Sequence, residues 1–321
     1  MKKVVVFSQI DQDVLERLQQ NYQVVILNPK LGDINAQIRQ EVIDADAMIG
    51  SGRLLNESNL APAQQLKIIS TVSVGYDNYD VNYLNQRKIW LSNTPHVLTE
   101  TTADLAFSLL MSAARKIPQL DTWTKQGLWK KTISTEQFGV DIFGKTLGII
   151  GLGHIGAAIA RRGFYGFNMD ILYHSRREKI EVAQSLNAQY RELDDLLQQS
   201  DFIVLAVDLN VESKQLIGAE QFDLMQKHAV FVNIARGSVV DEHALIKALQ
   251  NNKIFAAGLD VYAKEPLQSS ALFELPNIVT TPHIGSATAQ TRKKMVQLAY
   301  QNLVDALENK TPRYLVNPNF K

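Results

Sequence analysis

The sequence contains no cysteine. That excludes disulfides, thiolate nucleophiles, iron–sulfur clusters and cysteine zinc sites together, and it fits a reducing compartment. An excess of either charge is also missing: 33 basic residues stand against 33 acidic ones. Nothing therefore draws the chain generally to phosphate backbones or anionic membranes. Long hydrophobic runs are absent too. After Met1-Lys2-Lys3 the apolar run Val4 to Phe7 is too short for a signal-peptide core. No stretch approaches the roughly 18 apolar residues of a membrane span. Low-complexity tracts, short-period repeats and Ser/Gly linkers do not occur. A soluble, cytoplasmic protein is expected, with neither a membrane nor a nucleic acid as partner. Arg161-Arg162, Lys130-Lys131 and Arg292-Lys293-Lys294 read as solvated helix faces. His96, His154, His174, His228 and His243 show no metal-ligand spacing such as H-E-x-x-H, so no catalytic metal is expected.

What is present is ordinary globular composition: 321 residues, 45% hydrophobic and 21% charged. That length favours two domains over one core. Short β-branched runs alternate with amphipathic stretches along the whole chain. Val4–Phe7, Val24–Leu27, Ala47–Ile49, Lys67–Thr71 and Ile89–Leu91 come first. Leu147–Ile150, Asp170–Tyr173, Phe202–Val207, Val230–Asn233, Ala256–Leu259 and Ile278–Thr280 follow. Strands that are apolar on consecutive positions, separated by helices, predict parallel sheets covered on both faces. A long helix is predicted from Thr99 to about Lys116, with Thr101 and Asp104 as a capping box and Pro118 as its stop. A last helix spans roughly Ala287 to Glu308, with Met295, Leu298, Ala299, Leu303, Ala306 and Leu307 on one face. The segment from about 120 to 140 reads as irregular: a linker, an arm or a lid. Its Trp123 and Trp129 read as packing residues or interface anchors.

Gly151-Leu152-Gly153-His154-Ile155-Gly156 fits G-x-G-x-x-G, follows a strand directly and opens a helix. In that context the glycines serve a tight turn, a close backbone approach to a pyrophosphate, and helix–strand contact. The helix N-terminus offers free N–H groups and a positive dipole end to the phosphates. The next strand ends Tyr173-His174-Ser175-Arg176-Arg177, without the carboxylate that a NAD site usually places there. Ser175 and the two guanidiniums suit a 2′-phosphate, so NADP(H) is preferred and NAD(H) possible.

Three polar residues follow predicted strands, where ligands gather in open α/β sheets. They are Arg236 after Asn233-Ile234-Ala235, Glu265 after Leu259-Asp260-Val261-Tyr262, and His283 after Thr281-Pro282. Each alone reads as an ion pair, a loop charge or a cap. Together, downstream of a dinucleotide turn, they supply a fixed cation, an orienting carboxylate and an acid for hydride chemistry on a 2-oxo acid.

These motifs, with Ala257–Val261, Glu265-Pro266, Pro282–Thr288, Ser73–Asp80 and Val97–Asp104, resemble the D-isomer-specific 2-hydroxyacid dehydrogenase family over essentially the whole chain. Ser73–Asp80, Val97–Asp104 and Ser175–Arg177 are similar to the glyoxylate/hydroxypyruvate reductases, above all the bacterial B-type enzymes, also described as 2-ketogluconate reductases. The resemblance implies two doubly wound α/β domains with a cleft between them. One is a discontinuous, flavodoxin-like substrate domain, residues 1–98 plus 286–321, and the other a Rossmann cofactor domain, residues 99–285. It also implies a homodimer formed largely through the cofactor domains.

Carried over by motif, Arg236 would bind the substrate carboxylate and polarise the 2-oxo group. His283 would donate the proton, and Glu265 would hold and charge its imidazole. The Val74 and Gly75 N–H groups would bind the carboxylate. Asp260 would contact the nicotinamide end, with Thr102, Ala235 and Gly285 lining that pocket. The implied reaction is NADPH-linked reduction of glyoxylate, hydroxypyruvate or 2-keto-D-gluconate to a D-2-hydroxy acid. Two other readings stand beside it: a dinucleotide-sensing, corepressor-like protein, and a NAD-linked dehydrogenase of different substrate specificity. Asp208-Leu209-Asn210 departs from the family's frequent Pro-Leu-Thr, and by the resemblance would set a carboxylate beside the adenine or pyrophosphate, where it would weaken binding or turn outward. Tyr262 replaces a frequent Phe.

Overall fold

β-Branched and aliphatic runs bury both faces of a strand only when helices cover the sheet on either side, and among the described residues every pair of neighbouring strands is parallel. A computed structural model describes residues 1–319. It divides the chain into two units, Met1–Leu98 with the segment from Ala287 on, and Thr99–Ser286. Residues 320 and 321 of the expected first domain lie outside the described residues.

The first unit holds β1 (Lys3–Val6), β2 (Gln23–Ile26), β3 (Ala47–Gly50), β4 (Ile68–Thr71) and β5 (Trp90–Ser92). Their order is β2-β1-β3-β4-β5, the flavodoxin-like arrangement. β1, β3 and β4 are buried along their length, whereas β2 lies at the edge with Ile26 about half exposed. One core joins Val5, Phe7, Met48, Ile69 and Leu91 to Ile38 and Leu60. The helix Ala289–Leu307 packs against β3 and β4. Thr288 caps it by accepting from the Thr291 N–H, and Met295, Val296, Ala299, Leu303 and Leu307 are buried. Val296 is buried where the sequence reading placed Leu298, which is only half-buried. The fit is sealed by polar bonds. Ser70 Oγ donates to the Ala299 carbonyl at 2.7 Å, and the Leu91 N–H donates to Asn317 Oδ1 at 2.6 Å.

The second unit is a seven-stranded sheet: β6 (Thr146–Ile150), β7 (Asp170–His174), β8 (Gln189–Tyr190), β9 (Phe202–Leu205), β10 (Val230–Asn233), β11 (Ala256–Leu259) and β12 (Ile278–Thr280). The order is β12-β11-β10-β9-β6-β7-β8. Counted within the unit, this is the 3-2-1-4-5-6 order of dinucleotide-binding folds with one strand added. Alternate residues feed separate cores on the two faces. Leu147, Phe202, Val204, Val230 and Val232 pack on one side, and Ile150, Ile203, Leu205 and Phe231 on the other. The helix Thr99–Ala114 covers the first face, burying Ala103, Ala106, Phe107, Leu110 and Ala113.

Three local expectations are corrected. Thr101 lies inside the helix that starts at Thr99, so it makes no capping box with Asp104, whose carboxylate instead pairs with Arg162 at 2.6 Å. Pro118 does not end helical structure. Lys116 takes a left-handed conformation (φ +54°), and a second helix, Ile117–Lys125, starts there with Pro118 in its first turn, where a missing N–H costs nothing. The 120–140 segment is thus helical to Lys125 and carries a short 3-10 turn at Thr135–Gln137. β8 escaped the sequence reading because two residues with a glutamine give no periodic signal.

Candidate active site

The strand order of the second unit reverses between β6 and β9, which is where open α/β sheets bind ligands. β6 runs straight into Gly151, whose φ of +101° suits glycine, and a Cβ there would lie 2.5 Å from the Ala206 carbonyl oxygen. At Gly156 a Cβ would lie 2.1 Å from the Gly151 carbonyl oxygen. Gly153 is different: a Cβ would meet nothing within 4 Å. It caps the helix His154–Phe167 without a side-chain bond, so a ligand can come close to the backbone where that helix starts. An open backbone cradle at a helix N-terminus, beside a turn too tight for any side chain, fits a pyrophosphate. The residues present thus fit a dinucleotide.

β7 lies next to β6, and the Gly151 N–H donates to the His174 carbonyl at 2.8 Å. Beyond His174, Ser175 Oγ donates to the Arg177 carbonyl at 2.7 Å, while Arg176 and Arg177 are exposed. Arg176 Nη1 lies 3.4 Å from Glu212 Oε2, on the loop after β9. Sequence reading did not single out Glu212, which is remote from Arg176 along the chain.

Arg236, Glu265 and His283 follow β10, β11 and β12, three adjacent strands. Asn233 shapes the first turn: its Oδ1 accepts from the Ala235 N–H at 3.0 Å, and its Nδ2 donates to the Arg236 carbonyl at 3.1 Å. Arg236 Nη1 donates to the Ala235 carbonyl at 2.8 Å. Gly237 is jammed against the neighbouring loop, since a Cβ there would lie 1.8 Å from the Tyr262 carbonyl carbon. Tyr262 ties that loop to β12. Its hydroxyl donates to the Thr281 carbonyl at 2.8 Å, and its N–H donates to Glu265 Oε1 at 3.0 Å. Burial first, then the Asp260 charge, push the Tyr262 phenol up to about 12, so it remains a donor at neutral pH.

The other oxygen of Glu265 meets His283. His283 Nδ1 donates to Glu265 Oε2 at 2.6 Å, and the histidine backbone is left-handed (φ +52°). With Nδ1 committed, Nε2 is the ring nitrogen left on the other edge. Burial pushes the Glu265 carboxyl up. The His283 and Tyr262 hydrogen bonds, with the charges of His283 and Arg236, outweigh it and hold the group below its ordinary range. The imidazole is 47% exposed at its side chain and the carboxylate 33%, so the pair is open to solvent and to a ligand.

Asp260 is buried, at 1% exposure. Its Oδ1 accepts from Thr281 Oγ1 at 2.7 Å and the Ile284 N–H at 2.8 Å, and its Oδ2 accepts from the Gly285 N–H at 2.9 Å. Thr102 Oγ1 donates to the Gly285 carbonyl at 2.9 Å. Thr102, Asp260 and Gly285 thus form one cluster behind His283. Burial raises the Asp260 carboxyl above its usual range despite these bonds. Val74 and Gly75 belong to the first unit, in the loop after β4. Their carbonyls accept from Asn93 Nδ2 at 2.9 Å and Ser73 Oγ at 2.7 Å. The positioning roles of Asn233, Tyr262 and Thr281 escaped sequence reading; their only signal was a polar side chain at the end of an apolar strand.

The D-isomer specific 2-hydroxyacid dehydrogenase NAD binding domain profile matches residues 107–285. Over 320 residues the chain is 46% identical to glyoxylate/hydroxypyruvate reductase B of Shigella dysenteriae serotype 1, covering 98% of both. The protein of that name from Escherichia coli strain K12 matches to the same extent. The NADPH-dependent glyoxylate/hydroxypyruvate reductase of Sinorhizobium meliloti, solved with NADP and malonate, matches with a TM-score of 0.87 at 32% identity, covering 99% of this chain and 97% of that one. The chain belongs to the D-isomer-specific 2-hydroxyacid dehydrogenase family.

Proposed function

We propose that this protein reduces small 2-oxo acids to D-2-hydroxy acids, with NADPH preferred to NADH and glyoxylate, hydroxypyruvate and 2-keto-D-gluconate as substrates. The observation that carries this reading is the 2.6 Å bond between His283 Nδ1 and Glu265 Oε2, which fixes the ring and leaves Nε2 for a substrate oxygen. The names of the relatives support the substrate class.

Residues 99–285 hold the dinucleotide and residues 1–98 with 286–321 the acid. The cofactor, when bound, supplies a hydride to C2. Gly151, Gly153, His154, Ile155 and Gly156 receive its pyrophosphate, and Thr102, Ala235, Asp260 and Gly285 border its nicotinamide end. Ser175, Arg176 and Arg177 receive a 2′-phosphate. Arg236 binds the substrate carboxylate and polarises the 2-oxo group, and the Val74 and Gly75 N–H groups bind the same carboxylate. His283 gives the proton to the developing alkoxide from Nε2, and Glu265 stabilises the imidazolium from which it comes.

The protein works as a cytoplasmic homodimer joined through the cofactor domains. On that unit Met111 and Tyr165, 41% and 69% exposed, line one concavity, and Phe143 is 71% exposed; exposed apolar side chains of this kind suit an interface. Trp129 and Phe138 add 63% and 52%.

The test is loss of nicotinamide absorbance with NADPH and with NADH against each of the three acids, using the wild type and His283→Ala. Fast NADPH oxidation with at least one acid is expected. His283→Ala should lose on the order of 10²–10⁴ in kcat and keep its NADPH affinity. No oxidation by folded wild-type protein with any pair would overturn the reading; equal turnover by His283→Ala would remove the proton donor.

A further inference from the structure

The family fingerprint reads cofactor choice from the tip of the second strand, here Ser175-Arg176-Arg177. The structure brings a second loop to the same place. β7 and β9 flank β6 on either side, so the loops that leave their C-terminal ends both border the glycine turn. The β9 loop reaches that turn directly, because a Cβ at Gly151 would lie 2.8 Å from Val207 Cγ1.

The loop is held in shape from within. Asn210 Oδ1 accepts from the Glu212 and Ser213 N–H groups at 2.9 and 3.0 Å, and Ser213 Oγ donates to the Asp208 carbonyl at 2.6 Å. That turn presents Glu212 to Arg176, Nη1 to Oε2, at 3.4 Å. The contact is single and long. Both side chains are open to water, 72% and 73% exposed, so the pair is weak and a phosphate can displace the carboxylate.

From this juxtaposition we infer that Glu212 sets the balance between NADPH and NADH, by competing with the 2′-phosphate for the Arg176 guanidinium. The inference rests on the reading of Ser175, Arg176 and Arg177 as the 2′-phosphate site. With NADH the pair stays closed and nothing is lost on binding. With NADPH the carboxylate must give up Arg176, which lowers NADPH affinity alone. Glu212 is therefore a specificity-determining residue on a loop that the glycine fingerprint does not include. It narrows the margin by which NADPH outcompetes NADH in a site with no acid on the β7 tip.

The experiment is a titration of the cofactor's own fluorescence, giving Kd for NADPH and NADH at low ionic strength, where the pair is least screened. The proteins are wild type, Glu212→Gln, Asp208→Asn, Arg176→Ala and the Arg176→Ala/Glu212→Gln double variant. An exposed pair of this kind predicts about two- to fivefold tighter NADPH binding by Glu212→Gln, unchanged NADH binding, and no effect of Glu212→Gln once Arg176 is alanine. Tightening of both cofactors alike, its persistence in the Arg176→Ala background, or an equal gain from Asp208→Asn would reduce Glu212 to loop charge and overturn the inference. If Arg176→Ala weakens NADPH selectively while Glu212→Gln changes nothing, the inference fails and the 2′-phosphate site stands. If Arg176→Ala weakens both cofactors alike, that site is refuted and the inference with it.

Discussion

Glu265 serves two partners with its two oxygens: the Tyr262 N–H holds the carboxylate in its loop, and His283 takes its charge. Its lowered pKa makes that arrangement visible in acid. A carboxyl held below its ordinary value stabilises the folded state fully above that value, near 4.5, and loses the contribution as pH falls through the lower folded value. Glu265→Gln should therefore melt below the wild type at neutral pH, with the gap closing as the pH drops under 4.5. Thermal melts from pH 7 to pH 3 check this; a gap that stays constant would trace it to geometry rather than charge. Arg236, Glu265 and His283 were legible in the sequence as a cation, a carboxylate and an imidazole after three strands, the groups that the proposed chemistry needs. The partners that aim them were not. Asn233, Tyr262 and Thr281 act through contacts with residues two to twenty-one positions away, and no spacing rule encodes those.

Adjacent loops at the edge of a parallel sheet keep their register only if their backbones can touch. At Gly237 they do, with room for no side chain: the Tyr262 carbonyl oxygen and the Ala263 nitrogen would lie 2.0 and 2.3 Å from a Cβ. Gly237→Ala must push the Arg236 turn away from the loop that carries Glu265. A cost of about 1–3 kcal/mol is expected for such overpacking. The raised KM and lowered kcat should exceed what the stability loss explains at temperatures where the variant is fully folded. Denaturant melts alongside kinetics on the same preparation separate the two. A variant with wild-type kinetics would mean that the loops are not coupled. The elements themselves were mostly readable, since apolar runs of three to six residues with helical spacing between them leave little alternative. The misreadings cluster where a single dihedral decides, as at Lys116, or where an element is too short for a period, as at β8.

For the whole molecule, the exposed apolar side chains of the second unit put the proposed homodimer to a direct test. Met111, Tyr165 and Phe107 line one concavity with Arg161 and Arg162. Sedimentation equilibrium should give twice the 36.0 kDa chain mass, and Met111→Glu combined with Tyr165→Glu should shift it to the monomer; a monomeric wild type would sink the homodimer. Local sequence was enough for the alternation of strands and helices and for the glycine turn, because each depends on neighbours within a few residues. Tertiary structure alone decided the rest. It returned the C-terminal helix to the first sheet, seated Glu212 on Arg176, and set Glu265 against His283. Those contacts join residues far apart along the chain, and their energies exist only once the sheets have brought the strand ends side by side.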